Sequence, residues 1–238
     1  MRKIRVLALA LILSVILMGA GYAAWTDTTV ITNTVRTGTL NVKFDQSNFS
    51  GIKYPDACAA QYAKASADIV DKDSHTMQVQ LNDLYPGSWA AFRVKGINAG
   101  TIPAKIDNID VQFSGDKELL PYLSYETRIG IDPNGNNSDL SKFTISGKLS
   151  KFGEDINNYL KQHNEVKNLQ LSPNNKGCFY IGVPQNGFSV NANCSNNNNN
   201  TVAPDGYFVI KFDKAAPNEL QKKALNFTIT VNFKQFNQ

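Results

Sequence analysis

Residues 224–233 read Ala-Leu-Asn-Phe-Thr-Ile-Thr-Val-Asn-Phe, and this stretch decides the fold class. Apolar and polar side chains alternate along it, which is the period of a β-strand with one buried face. Its aromatic and β-branched residues also favour a pleated, half-buried strand. We therefore predict a strand here, with an apolar face formed by Leu225, Phe227, Ile229, Val231 and Phe233.

Similar signals recur along the chain and predict eight or nine strands. Turn residues separate them, including a type II turn indicated by Pro86 and Gly87. Two stretches indicate short helices instead: the alanine-rich residues 54–70, and residues 154–166, where apolar side chains recur at spacings of three and four. The predicted strands cover residues 28–35, 39–44, 77–81, 89–98, 102–113, 123–131, 178–183, 206–212 and 224–233.

This order of elements predicts an all-β fold, an antiparallel sandwich of two sheets with two short helices. Residues 24–238 fit one domain, since β-sandwiches often reach ~200–250 residues as a single unit. The asparagine-rich residues 191–200 indicate a surface loop.

The N-terminal residues have the composition of a secretory signal peptide. Basic residues are followed by an apolar run over residues 6–18, which is shorter than the ~20 apolar residues of a membrane span. Small residues come next, and we predict cleavage between Ala23 and Ala24. Residues 1–23 would then be removed, and residues 24–238 would be secreted to the cell surface or extracellular matrix. The alternatives are an uncleaved anchor and a buried helix.

Charge and motifs exclude several functions. Arg2, Lys3 and Arg5 lie in the predicted signal peptide, and without them the formal net charge of +4 falls to +1. No basic block remains, which argues against nucleic-acid binding. The two histidines, His75 and His163, do not form the H-E-x-x-H motif of zinc proteases. Neither the G-x-S-x-G motif nor a glycine-rich phosphate loop is present. We predict no catalytic residues and no zinc.

The three cysteines are Cys58, Cys178 and Cys194. In an exported protein they can pair, and we favour Cys178 with Cys194. These two bracket 15 residues, so their disulfide would stabilise the fold by roughly 3 kcal/mol in the chain-entropy model. The alternative is three buried free thiols.

Asp132, Asn134 and Asn136 alternate like the first half of a calcium loop. Asn137 takes the place of the glycine and Phe143 that of the final glutamate, so this is not an EF-hand. The loop is a weak calcium candidate, because oxygen-rich loops can bind this ion weakly. The alternative is a polar hairpin loop.

Two groups of residues resemble the TasA/camelysin family. The first is Gly-Tyr-Ala-Ala-Trp-Thr-Asp at residues 21–27, followed by Gly-Thr-Leu at residues 38–40. The second is Leu-Tyr-Pro-Gly-Ser at residues 84–88 with Asn-Ala-Gly-Thr-Ile-Pro-Ala-Lys-Ile at residues 98–106. These motifs cover the first half of the chain. The resemblance implies a jelly roll, cleavage before Ala24 by a signal peptidase similar to SipW, and a role in extracellular fibres.

Residues 28–35 are rich in β-branched residues, but neither face is strongly apolar, so this strand could pair outside its own domain. We expect residues 24–35 to act as a donor strand that adds to the next subunit, giving a head-to-tail homopolymer. Its anchoring side chains would be Trp25, Val30, Ile31 and Val35. Two alternatives remain open, a camelysin-like surface metallo-endopeptidase and a monomeric surface adhesion domain.

Overall fold

The computed structural model describes residues 2–23, 37–53, 64–71, 75–136, 140–183 and 206–237. The predicted strand at 28–35 and the asparagine-rich loop at 191–200 lie outside the described residues. The chain divides into two units, residues 1–37 and residues 38–238. The first contains helix α1, Arg2–Ala23. None of the helices in the described ranges is long and apolar enough to cross a membrane. Cleavage after Ala23 stays a prediction.

The second unit is an all-β sandwich, which confirms the predicted fold class. The described residues form ten strands, all paired antiparallel. They are β1 Val42–Lys53, β2 Lys64–Asp71, β3 Thr76–Asn82, β4 Trp89–Asn98, β5 Ala104–Gly115, β6 Leu123–Asp132, β7 Ser141–Lys148, β8 Cys178–Ile181, β9 Phe208–Phe212 and β10 Ala224–Gln235. Short helices α2, Phe152–Gln162, and α3, Asn164–Lys167, follow β7. Short 3-10 helices cover Lys117–Tyr122, Leu149–Lys151 and Asn218–Leu220.

The strands divide between two sheets. The larger sheet has the order β1-β4-β8-β6-β7, and the smaller sheet has the order β2-β3-β10-β5. Strand β9 also lies between β4 and β6, so β8 and β9 lie end to end in the same strand position of the sheet. A strand position of this kind is called a lane below. The chain leaves this lane after Val183 and returns at Gly206, and a Cβ on Gly206 would lie 2.0 Å from the Val183 carbonyl oxygen.

The core lies between the two sheets. Alternate residues of β10 are buried, as the sequence predicts: Leu225, Phe227, Ile229 and Val231 are at most 1% exposed. The rings of Phe227 in the smaller sheet and Phe208 in the larger sheet are 6.5 Å apart. Only Phe233, beyond a shift in strand register, is partly buried.

Helix α2 packs beside the edge strands β5 and β7. Its Asn157 amide bonds both the backbone N–H and the carbonyl of Ile109 in β5, each at 2.9 Å. The ring of Tyr159 stacks on Phe143 of β7 with centroids 4.1 Å apart. The helix therefore bridges the two sheets on this side.

The predicted type II turn is confirmed. The backbone N–H of Ser88 donates to the carbonyl of Tyr85 at 2.9 Å, and Gly87 has a φ of +87°. Only glycine adopts this backbone conformation without strain at the third position of such a turn.

The predicted helix at 54–70 is wrong where it is described, because Lys64–Asp71 is strand β2. Ala65, Ala67 and Ile69 alternate toward the core and pair with β3, so sheet pairing outweighs the helix propensity of alanine. Residues 54–63 lie outside the described residues. Strand β7 is absent from the prediction, and the strand predicted at 39–44 begins only at Val42.

The second predicted helix, at 154–166, is confirmed in outline. The structure begins it at Phe152 and interrupts it at His163. Ile156 and Leu160 are buried, as the helical spacing predicts.

Tyr125 of β6 fixes α2 to the larger sheet. Its hydroxyl donates to the Asp155 carboxylate at 2.7 Å, and its ring lies edge-on to Phe152. Burial, together with the hydrogen bond to Asp155 and its charge, raises the pKa of Tyr125 well above its usual range. The phenol therefore keeps the proton that it donates.

We expect Tyr125→Phe to lower the free energy of unfolding by about 1–2 kcal/mol, because a hydrogen bond to a charged group is lost while the ring packing stays. Urea unfolding followed by circular dichroism measures this change. Tyr122→Phe is the matched control, since no hydrogen bond of the Tyr122 hydroxyl is seen among the described residues. Equal losses in the two variants would contradict this role of the Tyr125 hydroxyl.

Candidate functional site at the start of the sandwich

The sandwich begins at Gly38, directly after the N-terminal unit, and its first residues lie against the turn between β4 and β5. The backbone N–H of Thr101 donates to the carbonyl of Thr39 at 2.9 Å, and that of Gly100 donates to Asn41 at 2.9 Å. The N–H of Thr39 in turn donates to the side-chain oxygen of Thr101 at 2.9 Å. These bonds fix residues 38–41 before the first strand starts.

Both glycines in this contact are needed for the close approach. A Cβ on Gly100 would lie 2.4 Å from the Thr39 carbonyl oxygen and 2.7 Å from the Asn41 nitrogen. A Cβ on Gly38 would lie 2.1 Å from a methyl group of Ile102. Real Cβ contacts do not reach these distances, so the two segments touch only because both positions lack a side chain.

The fully buried Asn98 is the centre of the site. Its amide nitrogen donates to the carbonyls of Ile102 at 2.9 Å and Leu171 at 2.8 Å, and its amide oxygen accepts from the N–H of Gly100 at 3.0 Å. The side chain therefore bonds three buried or partly buried backbone groups, and two of these, the Leu171 carbonyl and the Gly100 N–H, also have a backbone partner.

A third segment, residues 171–177, closes the site. The N–H of Asn174 donates to Gly100 at 2.9 Å, and that of Asn175 donates to the Asn98 carbonyl at 2.8 Å. Asn174 and Asn175 have φ values of 61° and 62°, in the left-handed region that asparagine tolerates better than most residues. The three segments, 38–41, 98–102 and 171–177, are called the exit anchor below.

The exit anchor brings together two of the predicted motifs. Gly-Thr-Leu at 38–40 and Asn-Ala-Gly-Thr at 98–101 belong to the motifs that resemble the TasA/camelysin family, and in the structure they contact each other. The third segment was not predicted. The adjacent Asn174 and Asn175, which suit a left-handed turn, are the one signal that could have indicated it.

All four predicted assembly residues lie outside the described residues, namely Trp25, Val30, Ile31 and Val35, as does Ala24 of the predicted cleavage site. The roles of these residues stay predictions. Ala23, the other residue of the predicted cleavage site, is the last residue of α1.

Cys178 is buried on β8 and carries a free thiol in this structure. The thiol donates to the carbonyl of Lys176 at 3.2 Å, and burial raises its pKa. Cys58 and Cys194 lie outside the described residues, so the pairing of Cys178 with Cys194 stays a prediction.

The candidate calcium loop is built around the buried carboxylate of Asp132. One oxygen of this carboxylate accepts the backbone N–H groups of Asn134 at 3.3 Å and Gly135 at 2.8 Å. The side-chain oxygen of Asn134 accepts the hydroxyl of Ser172 at 3.0 Å. Donors therefore point at two of the oxygens that a cation would use, and calcium binding at this loop stays a prediction. Asn136 lies in the same exposed bend.

The histidines do not converge with other metal-binding groups. His163 contacts Glu165 at 3.0 Å and stacks on Tyr159, whereas His75 lies against Phe233. Across the described ranges, no three histidine, cysteine or acidic side chains come together as metal ligands would.

Fold and site together define a class: an antiparallel all-β sandwich whose first residues are fixed by a buried asparagine. Comparisons of the chain with protein-family models, with curated proteins and with solved structures gave no match. The similarity to the TasA/camelysin family thus depends on the sequence motifs alone and stays a hypothesis.

We expect Gly100→Ala to lower the free energy of unfolding by about 2–3 kcal/mol, because the added methyl group meets backbone atoms that cannot move aside. Gly96→Ala in strand β4, which leads into this turn, is the control. Its Cβ would meet its nearest neighbours at 3.7–3.8 Å, so we expect a change within about 0.5 kcal/mol. Chemical denaturation of both variants measures the difference, and equal stabilities would refute the close approach at Gly100.

We expect Asn98→Asp to lower the free energy of unfolding by at least ~3 kcal/mol at neutral pH, because the Ile102 carbonyl loses its donor, the Leu171 carbonyl loses one of its two donors, and a carboxylate is buried. Burial raises the pKa of such a carboxyl in the folded state, so the folded protein binds more protons and the loss should shrink as the pH falls. Asn158→Asp on the exposed side of α2 is the control. A loss that is independent of pH would contradict this account.

Proposed function

We propose that this protein is an exported structural subunit of extracellular fibres, in which the N-terminal residues 24–35 of one subunit add as a strand to the next subunit. The observation that carries the proposal is the exit anchor. It fixes the chain from Gly38 onward, and the chain divides into separate units at the bond between Thr37 and Gly38. The residues before Gly38 therefore belong to a separate unit, and the sandwich has a core of its own.

The exit anchor also suits a subunit that is pulled from its N-terminus. Tension on residues 24–37 would reach the sandwich at Thr39 and Asn41, where three hydrogen bonds hold the chain. These bonds lie between segments distant in sequence, so they would have to break together for the first strand to peel away. A strand that joins two subunits needs a firm attachment of this kind to its own sandwich.

The sequence of the segment supports the same role. Seven of the eight residues 28–35 are threonine, valine or isoleucine, which favour an extended strand, and the eighth is Asn33. Main-chain hydrogen bonds would supply affinity for a sheet edge, and Trp25, Val30, Ile31 and Val35 would fill pockets beside it. A contact of this head-to-tail kind does not close on itself and gives an open filament.

Export would control assembly. In this proposal a SipW-like signal peptidase removes residues 1–23, the new N-terminus at Ala24 is released, and polymerisation follows outside the cell. The precursor stays unassembled because its N-terminal strand remains joined to the signal peptide. Association with other matrix proteins is compatible with such a fibre.

The test compares three purified proteins by negative-stain electron microscopy: one that starts at Ala24, one with an extra N-terminal tag, and one that lacks residues 24–35. We expect filaments from the first alone. Filaments of unchanged length from the protein that lacks residues 24–35 would overturn the proposal. Monomers from all three would instead favour the adhesion domain.

Point variants refine the test without shortening the chain. We expect Ile31→Asp to abolish filaments, because a charge would enter a pocket at the subunit contact. Asn33→Asp, two residues away, replaces a side chain that is already polar and should have the smaller effect.

The metallo-endopeptidase alternative predicts chelator-sensitive cleavage of casein and stoichiometric zinc in the same preparations.

A further inference from the structure

The sandwich has four edge strands, and they differ in what their outer sides offer. Strands β1 and β7 border the larger sheet, and β2 and β5 border the smaller one. An edge that accepts another chain needs unpaired backbone groups in a regular ladder.

Strand β5 is covered. The Asn157 side chain occupies the backbone N–H and carbonyl of Ile109, and Leu171 bonds Ala104 in both directions, at 2.8 and 3.2 Å. Helix α2 and the 171–177 segment thus take the positions that an added strand would need.

Strands β1 and β2 are irregular. The pairing of β1 with β4 shifts register twice between Asp45 and Lys53, and the pairing of β2 with β3 shifts between Ile69 and Asp71. Bulges of this kind twist an edge and interrupt its ladder.

Strand β7 is regular and open. All eight of its residues pair with β6 without a shift, from Ser141 opposite Ile131 to Lys148 opposite Ser124. Among the described residues, no strand pairs with its other side. A strand added here would also cover Ile145 and Tyr159, which are apolar and only partly buried.

The charged side chains of β7 disfavour its pairing with the β7 strand of a second copy. In an antiparallel pair of two β7 strands centred on Ile145, each Lys142 would face a Lys148, and directly opposed like charges are destabilising. Both lysines are exposed, as is usual for edge strands that avoid pairing with themselves. Residues 28–35 carry no charge and match β7 in length, so they meet no such repulsion.

We propose that the outer edge of β7 is the acceptor for residues 28–35 of a second copy of this chain. The inference rests on the proposed role of the N-terminal segment as the polymerising strand. The added strand extends the larger sheet beyond β7, and one of its faces carries Ile31 and Val35. With that face inward, these two side chains pack over Ile145 and the ring of Tyr159.

Photo-crosslinking within the assembled protein tests the inference. Benzoylphenylalanine replaces Thr144 or Ser146, which are exposed on β7, or Gln112, which is exposed on β5, in protein starting at Ala24. Isotope-labelled and unlabelled subunits are mixed before assembly, so mass spectrometry separates crosslinks between copies from those within one copy. Electron microscopy of the same samples reports filaments independently.

We expect crosslinks from positions 144 and 146 to residues 24–35 of another copy, and none from position 112. Filaments whose β7 probes reach other residues, or nothing, would overturn the acceptor while leaving the proposed fibre intact. Crosslinks from β7 to β7 would also overturn it. If no filaments form, the fibre proposal fails. Crosslinks between copies from β7 to residues 24–35 would in that case still support β7 as the acceptor edge.

Discussion

The buried amide of Asn98 holds together three segments of the chain that are far apart in sequence. Its nitrogen and oxygen satisfy backbone groups of the β4–β5 turn and of Leu171, while Gly100 in that turn bonds Asn41 ahead of β1. Without this side chain, the carbonyl of Ile102 would lose the donor that it has among the described residues, which costs about 1–3 kcal/mol for a buried group, and the carbonyl of Leu171 would keep only the N–H of Ala104. The start of the sandwich, the turn and the 171–177 segment therefore depend on one residue.

The described part of the structure explains how the edge strands β5 and β7 differ. The larger sheet has a lane more than the smaller sheet, and α2 fills the space between β5 and β7 instead of another strand. The helix reaches β5 through the polar amide of Asn157 and reaches β7 through the stacked ring of Tyr159. Backbone groups of β5 are used in this contact, whereas β7 is contacted through side chains, and no strand in the described ranges pairs with its outer edge.

The strongly patterned parts of the fold could be predicted from the sequence. The alternation in β10 and β4 and the Pro86-Gly87 turn are local signals, and the structure agrees with them. Two misses have physical reasons. Lys64–Asp71 is rich in alanine and pairs as a strand only because β3 lies beside it, and β7 has only Phe143 and Ile145 as large apolar residues. The exit anchor could not be predicted, because its bonds join residues far apart in sequence, such as Asn98 and Leu171 at a separation of 73 positions.

The shared lane of β8 and β9 has a consequence for how the sequence can vary. Since Gly206 lies against the carbonyl of Val183, the chain leaves and re-enters the larger sheet at adjacent points. The closure entropy of a segment with fixed, neighbouring ends rises slowly with its length, by about 0.6 kcal/mol for each doubling. The sandwich therefore constrains Val183 and Gly206, the residues at the two ends of this segment, far more tightly than it constrains the length or composition of the segment. In comparisons with related chains, this is where gaps belong in an alignment.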